Sequence, residues 1–289
     1  FEDMYARRAF PSFDEPGFKI PYQLTITSPE KHTVLSNTLV KKRSVKDGWQ
    51  TVEFNKTKPM PTYLVALAVG ELDSYDIPNL SVPGKIYTPK GQAHRTKFAA
   101  KHTAGILQNL ENYFGSSYPY EKLDFVAVPN FTFGAMENVG LVTYRSSLLL
   151  LEDEPRLAEQ SSTLNVIAHE LAHMWYGNLV TMAWWDDLWL NEAFASWMAS
   201  KVMMDLYPEQ NFKGRSVQEG AFGEDASPTV RPVKKVVRSQ TDVMDGLGLN
   251  YTKGESVLQL IESMVGEQAF QKGIPVSYTH LTLPPTRTL

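Results

Sequence analysis

The chain has 289 residues, 43% of them apolar and 21% charged, enough for one large domain or two smaller ones with a sizeable core. Lys and Arg number 28 against 32 Asp and Glu, and the resulting net charge of -4 gives no reason to expect nucleic acid as a partner. There are no cysteines, which excludes a disulfide framework and thiolate chemistry but settles no compartment. No apolar run approaches the roughly 18 residues needed to cross a bilayer, so no transmembrane segment is expected.

The chain opens at Phe1-Glu2-Asp3 with neither an initiator Met nor a signal-peptide pattern, and reads as a fragment without its true N-terminus or any targeting signal. Its first 70 residues read as β structure. Tyr22 to Thr27 alternates with period two, as does Thr51 to Phe54 more briefly, with prolines and glycines in the gaps. Tyr63 to Val69 is a continuous apolar run, the pattern of a strand covered on both faces. The strands are too few to close a sandwich, so residues 1–70 are expected to be a partial β domain.

Near residue 70 the pattern changes. Ala93 to Phe114 reads as a helix, with apolar residues at Phe98, Ile106, Leu107, Leu110 and Phe114. Leu123 to Val128 and Val139 to Tyr144 read as strands. Helix dominates from Leu157, with N-cap candidates in Ser161, Ser162 and Thr163, and again from about Asn191 to Tyr207. Strands and helices in such succession predict an α+β domain over residues 71–274. Arg231, Lys234, Lys235 and Arg238 are interleaved with Pro and Val and read as a solvated loop or edge strand. From Pro275 to Leu289 the helical period stops, and Thr and Pro take over.

Residues 169–173 read His-Glu-Leu-Ala-His inside a predicted helix. A spacing of four places both imidazoles on one face, one turn apart, where they can share a metal ion. The intervening Glu170 then points near the open coordination position, where it can take a proton from a water on the metal. Chance alone gives this pattern in a chain of such length on the order of once per hundred. A catalytic zinc needs a third protein ligand. Glu192 lies 19 residues after His173, near the start of the next helix, and reaches the metal if the two helices pack antiparallel. By itself Glu192 would read as a surface acid favoured by the helix dipole. Two histidines and a glutamate predict hydrolysis. Zinc acidifies its water and polarises a carbonyl, Glu170 serves as general base, and a further donor is needed for the oxyanion.

Upstream lies Gly134-Ala135-Met136-Glu137-Asn138, which by itself is a short loop with one carboxylate. This segment, followed about thirty residues later by the His-Glu-x-x-His pair and its distant Glu, resembles the aminopeptidase N family of gluzincin peptidases. The flanking Trp175 to Met182, Trp184 to Leu190 and Ala6 to Pro16 agree, and the resemblance covers about residues 1–274. It implies a thermolysin-like catalytic domain over residues 71–274, with a mixed sheet and a helical zinc-binding lobe, preceded by part of a β-sandwich. It also implies a zinc-dependent aminopeptidase acting on peptides with a free N-terminus.

Carried onto this sequence, the resemblance implies that His169, His173 and Glu192 hold one zinc ion and that Glu170 is the base. Glu137 matches the carboxylate that holds the substrate's α-amino group. A partly buried carboxylate discriminates strongly between a terminal ammonium and an internal amide. Glu2 aligns with a second amine-binding carboxylate. Gly134, Ala135 and Met136 would lie along the substrate backbone like an edge strand. Tyr251, in Tyr-Thr-Lys-Gly, matches a phenol that donates to the oxyanion, although a Tyr near a helix start can equally be a packing residue. Phe133 would line the pocket for the first side chain, where a core role is the alternative.

The leukotriene epoxide hydrolase branch typically has Gly in place of Ala135, so the sequence speaks against it. A catalytically silent scaffold is the rival from another class. Such relatives usually lose zinc ligands, and every expected ligand is present. Residues 275–289 match nothing in the family and read as a non-native end, so His280 is set aside.

Overall fold

The computed structural model describes residues 1, 4–210, 217–228, 230 and 232–281. Their fold is α+β. By internal contacts the chain divides into two units, residues 1–107 with 120–171 and residues 108–119 with 172–289.

The first unit begins with strands β1 (Thr25–Pro29), β2 (Thr33–Ser36), β3 (Val40–Lys46) and β4 (Trp49–Phe54). Asp47 and Gly48 both have positive φ, 52° and 76°, and join β3 to β4 in a two-residue hairpin that pairs Lys46 with Trp49. An Asp-Gly pair suits such a turn because it tolerates the left-handed conformation twice in succession. Strands β1, β4 and β3 form one antiparallel sheet in that order, with β3 at its edge and every residue of β3 exposed. Along β4 burial alternates, and Val52 and Phe54 face a small core with Val34, Leu24 and Ile26. Strand β2 pairs antiparallel with β5 (Leu67–Gly70).

The apolar run from Tyr63 behaves differently from the strand expected of it. Thr62–Leu64 is a 3-10 turn after Pro61, and only Leu67–Gly70 is strand. Tyr63, Leu64, Val65 and Ala66 are buried, as the composition requires. Side chains, not a neighbouring strand, satisfy the backbone there. Ser36 Oγ donates to Ala66 O at 2.9 Å, and Asn37 Nδ2 donates to Leu64 O at 2.9 Å. Asn37 Oδ1 accepts the Ala66 amide at 2.9 Å. Buried backbone groups must find partners, and here amide and hydroxyl side chains replace a ladder.

A five-stranded mixed sheet follows. Its order is β6 (Leu72–Asp76), β7 (Lys85–Pro89), β8 (Asp124–Val128), β10 (Leu141–Arg145) and β9 (Ala135–Met136). The pairs β7–β8 and β8–β10 are parallel, and the outer pairs are antiparallel. Val126 and Leu141 meet Leu35 and Ala66 in a shared core. Helix α1 (Lys97–Phe114) follows a 3-10 turn at Ala93–Thr96, and a short helix α2 (Ser146–Leu149) follows β10. Helix α3 (Leu157–Ala172) starts before the expected caps, leaving Ser161 to Thr163 inside it. The capping group is Glu159, whose carboxylate accepts the Arg156 amide at 2.9 Å.

The second unit is helical. Helix α4 (Leu188–Leu206) is buried on nearly every face, as expected of a central helix. Helices α5 (Val217–Asp225), α6 (Gln240–Met244), α7 (Leu247–Val265) and α8 (Glu267–Leu281) follow. Phe114 stacks on Trp175 with centroids 4.7 Å apart, and Tyr176 stacks on Phe194 at 3.9 Å. Gly254 of α7 sits so close to α4 that a Cβ there would come 2.5 Å from that of Ala193. The next residue, Glu255, accepts from Ser200 Oγ at 2.7 Å, and farther along the pair of helices Trp197 Nε1 donates to Glu262 at 3.0 Å. The basic stretch is loop where described, and Lys234 pairs with Asp187 at 2.7 Å; Arg231 lies outside the described residues.

Helix α8 does not stop at Ile274 as the sequence suggested. It continues through Pro275 to Leu281, and residues 282–289 lie outside the described residues. Pro275 keeps a helical φ but removes one N–H from the interior of the helix, a loss of about 3 kcal/mol that α8 bears.

Glu255 is buried, and that burial pushes its carboxyl pKa up, against smaller opposing contributions from Ser200 and Gln259. The folded chain therefore holds this proton more tightly than the unfolded chain, whose value is about 4.3. The contribution to stability is complete below the ordinary carboxylate range and is lost as pH rises through the raised value. Glu255→Gln should thus melt higher than the parent at pH 8, by roughly 2–4 °C for each kcal/mol released. The difference should vanish in acid. Thermal melts across pH check this, and equal melting temperatures at pH 8 would contradict it.

Candidate metal centre

Helix α3 ends at Ala172, and His173 opens the turn that follows. Trp175 and Tyr176 amides still donate to Ala172 O, at 3.2 and 3.3 Å, so the helical coil persists long enough to keep His169 and His173 on one side. The chain then doubles back, with the Gly177 amide on Val180 O at 2.7 Å and the Val180 amide on Trp175 O at 3.0 Å.

His173 is buried, and its Nδ1 lies 3.1 Å from Tyr176 O. A carbonyl only accepts, so this contact puts the ring proton on Nδ1 and leaves the Nε2 lone pair for a metal. His173 Nε2 is 3.6 Å from Glu192 Oε2, which reaches it from α4. His169, His173 and Glu192 each offer a ligand atom, and the three atoms lie within 4.8 Å of one another. Two ligands on a tetrahedral zinc, at bond lengths of 2.0–2.2 Å, are about 3.3–3.6 Å apart. The donor set, the His173–Glu192 separation and the tautomer all fit zinc.

Gly177 makes this arrangement sterically possible. Its φ is +125°, and a Cβ there would come 2.3 Å from Asn191 Oδ1 and 3.0 Å from His173 Nδ1. Asn191 is buried and immediately precedes Glu192. Glycine at 177 therefore lets the turn close over both ligand-bearing segments at once. Nothing in the spacing of the sequence pointed to Gly177 or Asn191, although a glycine four residues past His173 is the sort of signal that could have.

In the first unit, Glu137 and Glu170 are both buried, with a carboxylate oxygen of each within 4.8 Å of the other. Glu137 follows directly on β9, whose Ala135 and Met136 pair with Tyr144 and Thr143 at the edge of the mixed sheet. Arg145 braces the approach to this strand. Its Nε and Nη2 donate to Phe131 O and Thr132 O at 3.1 and 2.7 Å, and its amide donates to Gly134 O at 2.9 Å. Phe133 is half-buried, Phe131 lies edge-on to it at 6.4 Å, and Gly134 packs against Leu148. Tyr251 is half-buried on α7, three residues ahead of Gly254. Glu2 lies outside the described residues.

Residues 98–281 match the peptidase family M1 domain, and residues 1–64 match the peptidase M1 N-terminal domain. The chain belongs to peptidase family M1. It is 42% identical to the mitochondrial aminopeptidase 2 of Saccharomyces cerevisiae and 41% identical to glutamyl aminopeptidase of Bos taurus, each over 93% of this chain. It is 39% identical to aminopeptidase M1-B of Oryza sativa subsp. japonica, over 95% of this chain. The chain spans 29% of the yeast and bovine relatives and 32% of the rice one. No helix among the described residues is long and apolar enough to cross a membrane.

If Gly177 holds the ligand turn open, then Gly177→Ala should weaken metal binding by roughly 10- to 100-fold, the usual cost of disturbing groups that orient a ligand. Competition with a chromophoric chelator measures this directly. An unchanged metal affinity in a folded Gly177→Ala protein would show that the turn accommodates a side chain.

Proposed function

We propose that the chain is the catalytic part of a zinc-dependent aminopeptidase that hydrolyses the first peptide bond of peptides. The observation that carries this reading is the grouping of His169, His173 and Glu192, with Glu137 and Glu170 paired and buried in the first unit. Residues 1–70 are the end of an N-terminal β domain in this reading, and residues 71–274 are a thermolysin-like peptidase domain.

When bound, one zinc ion would supply a Lewis acid and lower the pKa of a water to about 7. The protein's own groups do the rest. Glu170 takes the proton from the attacking water and hands it to the leaving amine. Glu137, with Glu2, binds the substrate's terminal ammonium by charge-assisted hydrogen bonds and so counts one residue from the chain end. Ala135 and Met136 form an edge strand, and an edge strand offers free backbone groups to an extended peptide. Gly134 continues that edge, and Phe133 walls the pocket for the first side chain. Tyr251 donates to the oxyanion. What supports its role is the Gly254–Ala193 contact, which brings the α7 turn carrying Tyr251 alongside the α4 turn carrying Glu192.

Hydrolysis of aminoacyl-anilides by the full-length gene product tests this. Activity should disappear with chelator, return with zinc, and be absent on N-acetylated substrates. Glu170→Ala should lose roughly 100- to 10,000-fold in kcat while retaining metal. Glu137→Ala should lose roughly 10- to 100-fold in kcat/KM, chiefly through KM. Activity that survives chelation, or that accepts acylated amines equally well, would refute the mechanism.

A further inference from the structure

Glu137 can select a terminal ammonium only if its carboxylate is held still, because a displacement of an ångström costs most of a directed contact. Arg145 fixes the chain ahead of it. Behind it, residues 138–140 are fixed by a residue distant in sequence.

Asn37, just beyond β2, is 2% exposed, and its side chain uses both of its N–H donors and its carbonyl oxygen. Nδ2 donates to Val139 O at 2.7 Å and to Leu64 O at 2.9 Å, and Oδ1 accepts the Ala66 amide at 2.9 Å. Asn138 completes the clamp. Its Nδ2 donates to Leu64 O at 3.3 Å and Tyr63 O at 3.4 Å, while Thr143 Oγ1 donates to Asn138 Oδ1 at 3.0 Å. The backbone closes in as well. Gly140 has φ +66°, and a Cβ there would sit 2.1 Å from Asn37 O. Every contact that ties Asn37 to the Glu137 segment falls within three residues after Glu137.

We propose that Asn37 is a positioning residue for Glu137, and therefore for recognition of the substrate's free amine. This rests on the reading of Glu137 as the amine-binding carboxylate. The chemistry at position 37 demands a primary amide. Asp has the same shape but would set a carboxylate against two carbonyl oxygens, and an apolar residue would leave Val139 O and the Ala66 amide buried without those bonds. Asn37 touches neither metal nor substrate and acts through the chain it holds.

The test compares full-length wild type, Asn37→Ala and Asn37→Ser on an aminoacyl-anilide. It adds inhibition by a pair of dipeptide hydroxamates, one with its α-amino group and one lacking it. Asn37→Ala should raise KM about tenfold with a smaller change in kcat, and shrink the preference for the amine-bearing inhibitor by a similar factor. Zinc affinity by chelator competition should stay at the wild-type level. Asn37→Ser keeps one donor and should recover part of the preference; it also serves as the readout should the Ala variant fail to fold. A merely structural role would lower the melting temperature and the fraction of active molecules but leave KM and the inhibitor preference of the remaining molecules unchanged. That result overturns the proposal. If wild type itself shows no preference for the amine, the aminopeptidase reading fails, and the two failures are thereby told apart.

Discussion

Ligand atoms from separate segments can meet at one metal only if the backbones carrying them come closer than ordinary side chains permit. That steric constraint governs the helical unit. Gly177 leaves room for the side chains of His173, in its own turn, and Asn191, on α4, and Gly254 lets α7 lie against Ala193, the neighbour of Glu192. Around these two contacts the large side chains are arranged as packing. Phe114, Trp175, Tyr176, Phe194 and Trp197 fill the space around the ligand helix, and Lys201 ties α4 to Glu262 and Glu267 at 2.7 Å each. Tightness at the glycines and bulk elsewhere are two aspects of one solution, because close-packed interiors transmit small displacements with little loss.

The sheet-bearing unit meets a different constraint. Its buried irregular segments, around residues 63–66 and 137–140, have no ladder to bond with. Asn37, Asn138 and Ser36 supply the missing partners from their side chains, and Arg145 does the same for residues 131 and 132. A fully satisfied polar network of this kind is rigid, and removing one member exposes the others to an uncompensated loss.

Much of the site was legible because its signals are local. The one-turn spacing of His169 and His173 follows from helical periodicity, whereas Glu192 by itself reads as a surface acid and stood out only beside that pair and the family resemblance. Strands at Asp124–Val128 and Leu141–Arg145 declared themselves by their apolar runs. What stayed hidden depended on distant partners. The Tyr63 run looked like a strand because burial and strand pairing usually coincide, yet its bonds go to side chains. The helix does start at Leu157 as read, but the group that meets its first turn is the Glu159 carboxylate and not the hydroxyls that a capping pattern favours. Pro275 looked like a stop because an interior proline ordinarily ends or kinks a helix. Asn37 carried no signal, since its partners lie 27 and 102 residues away in the chain.

The Asn37–Val139 bond also bears on the order of assembly. It joins residues 102 apart in the chain, so the intervening loop must close before the bond can repay the entropy spent on closing it. Contacts of such separation are the slow ones in folding. The histidine pair, by contrast, comes together as soon as a single helix forms. A nascent chain can thus bring the two imidazoles together early, whereas the loop behind Glu137 takes its final shape only after the β strands have docked. Completion of the site is in this sense a report that the rest of the unit has folded.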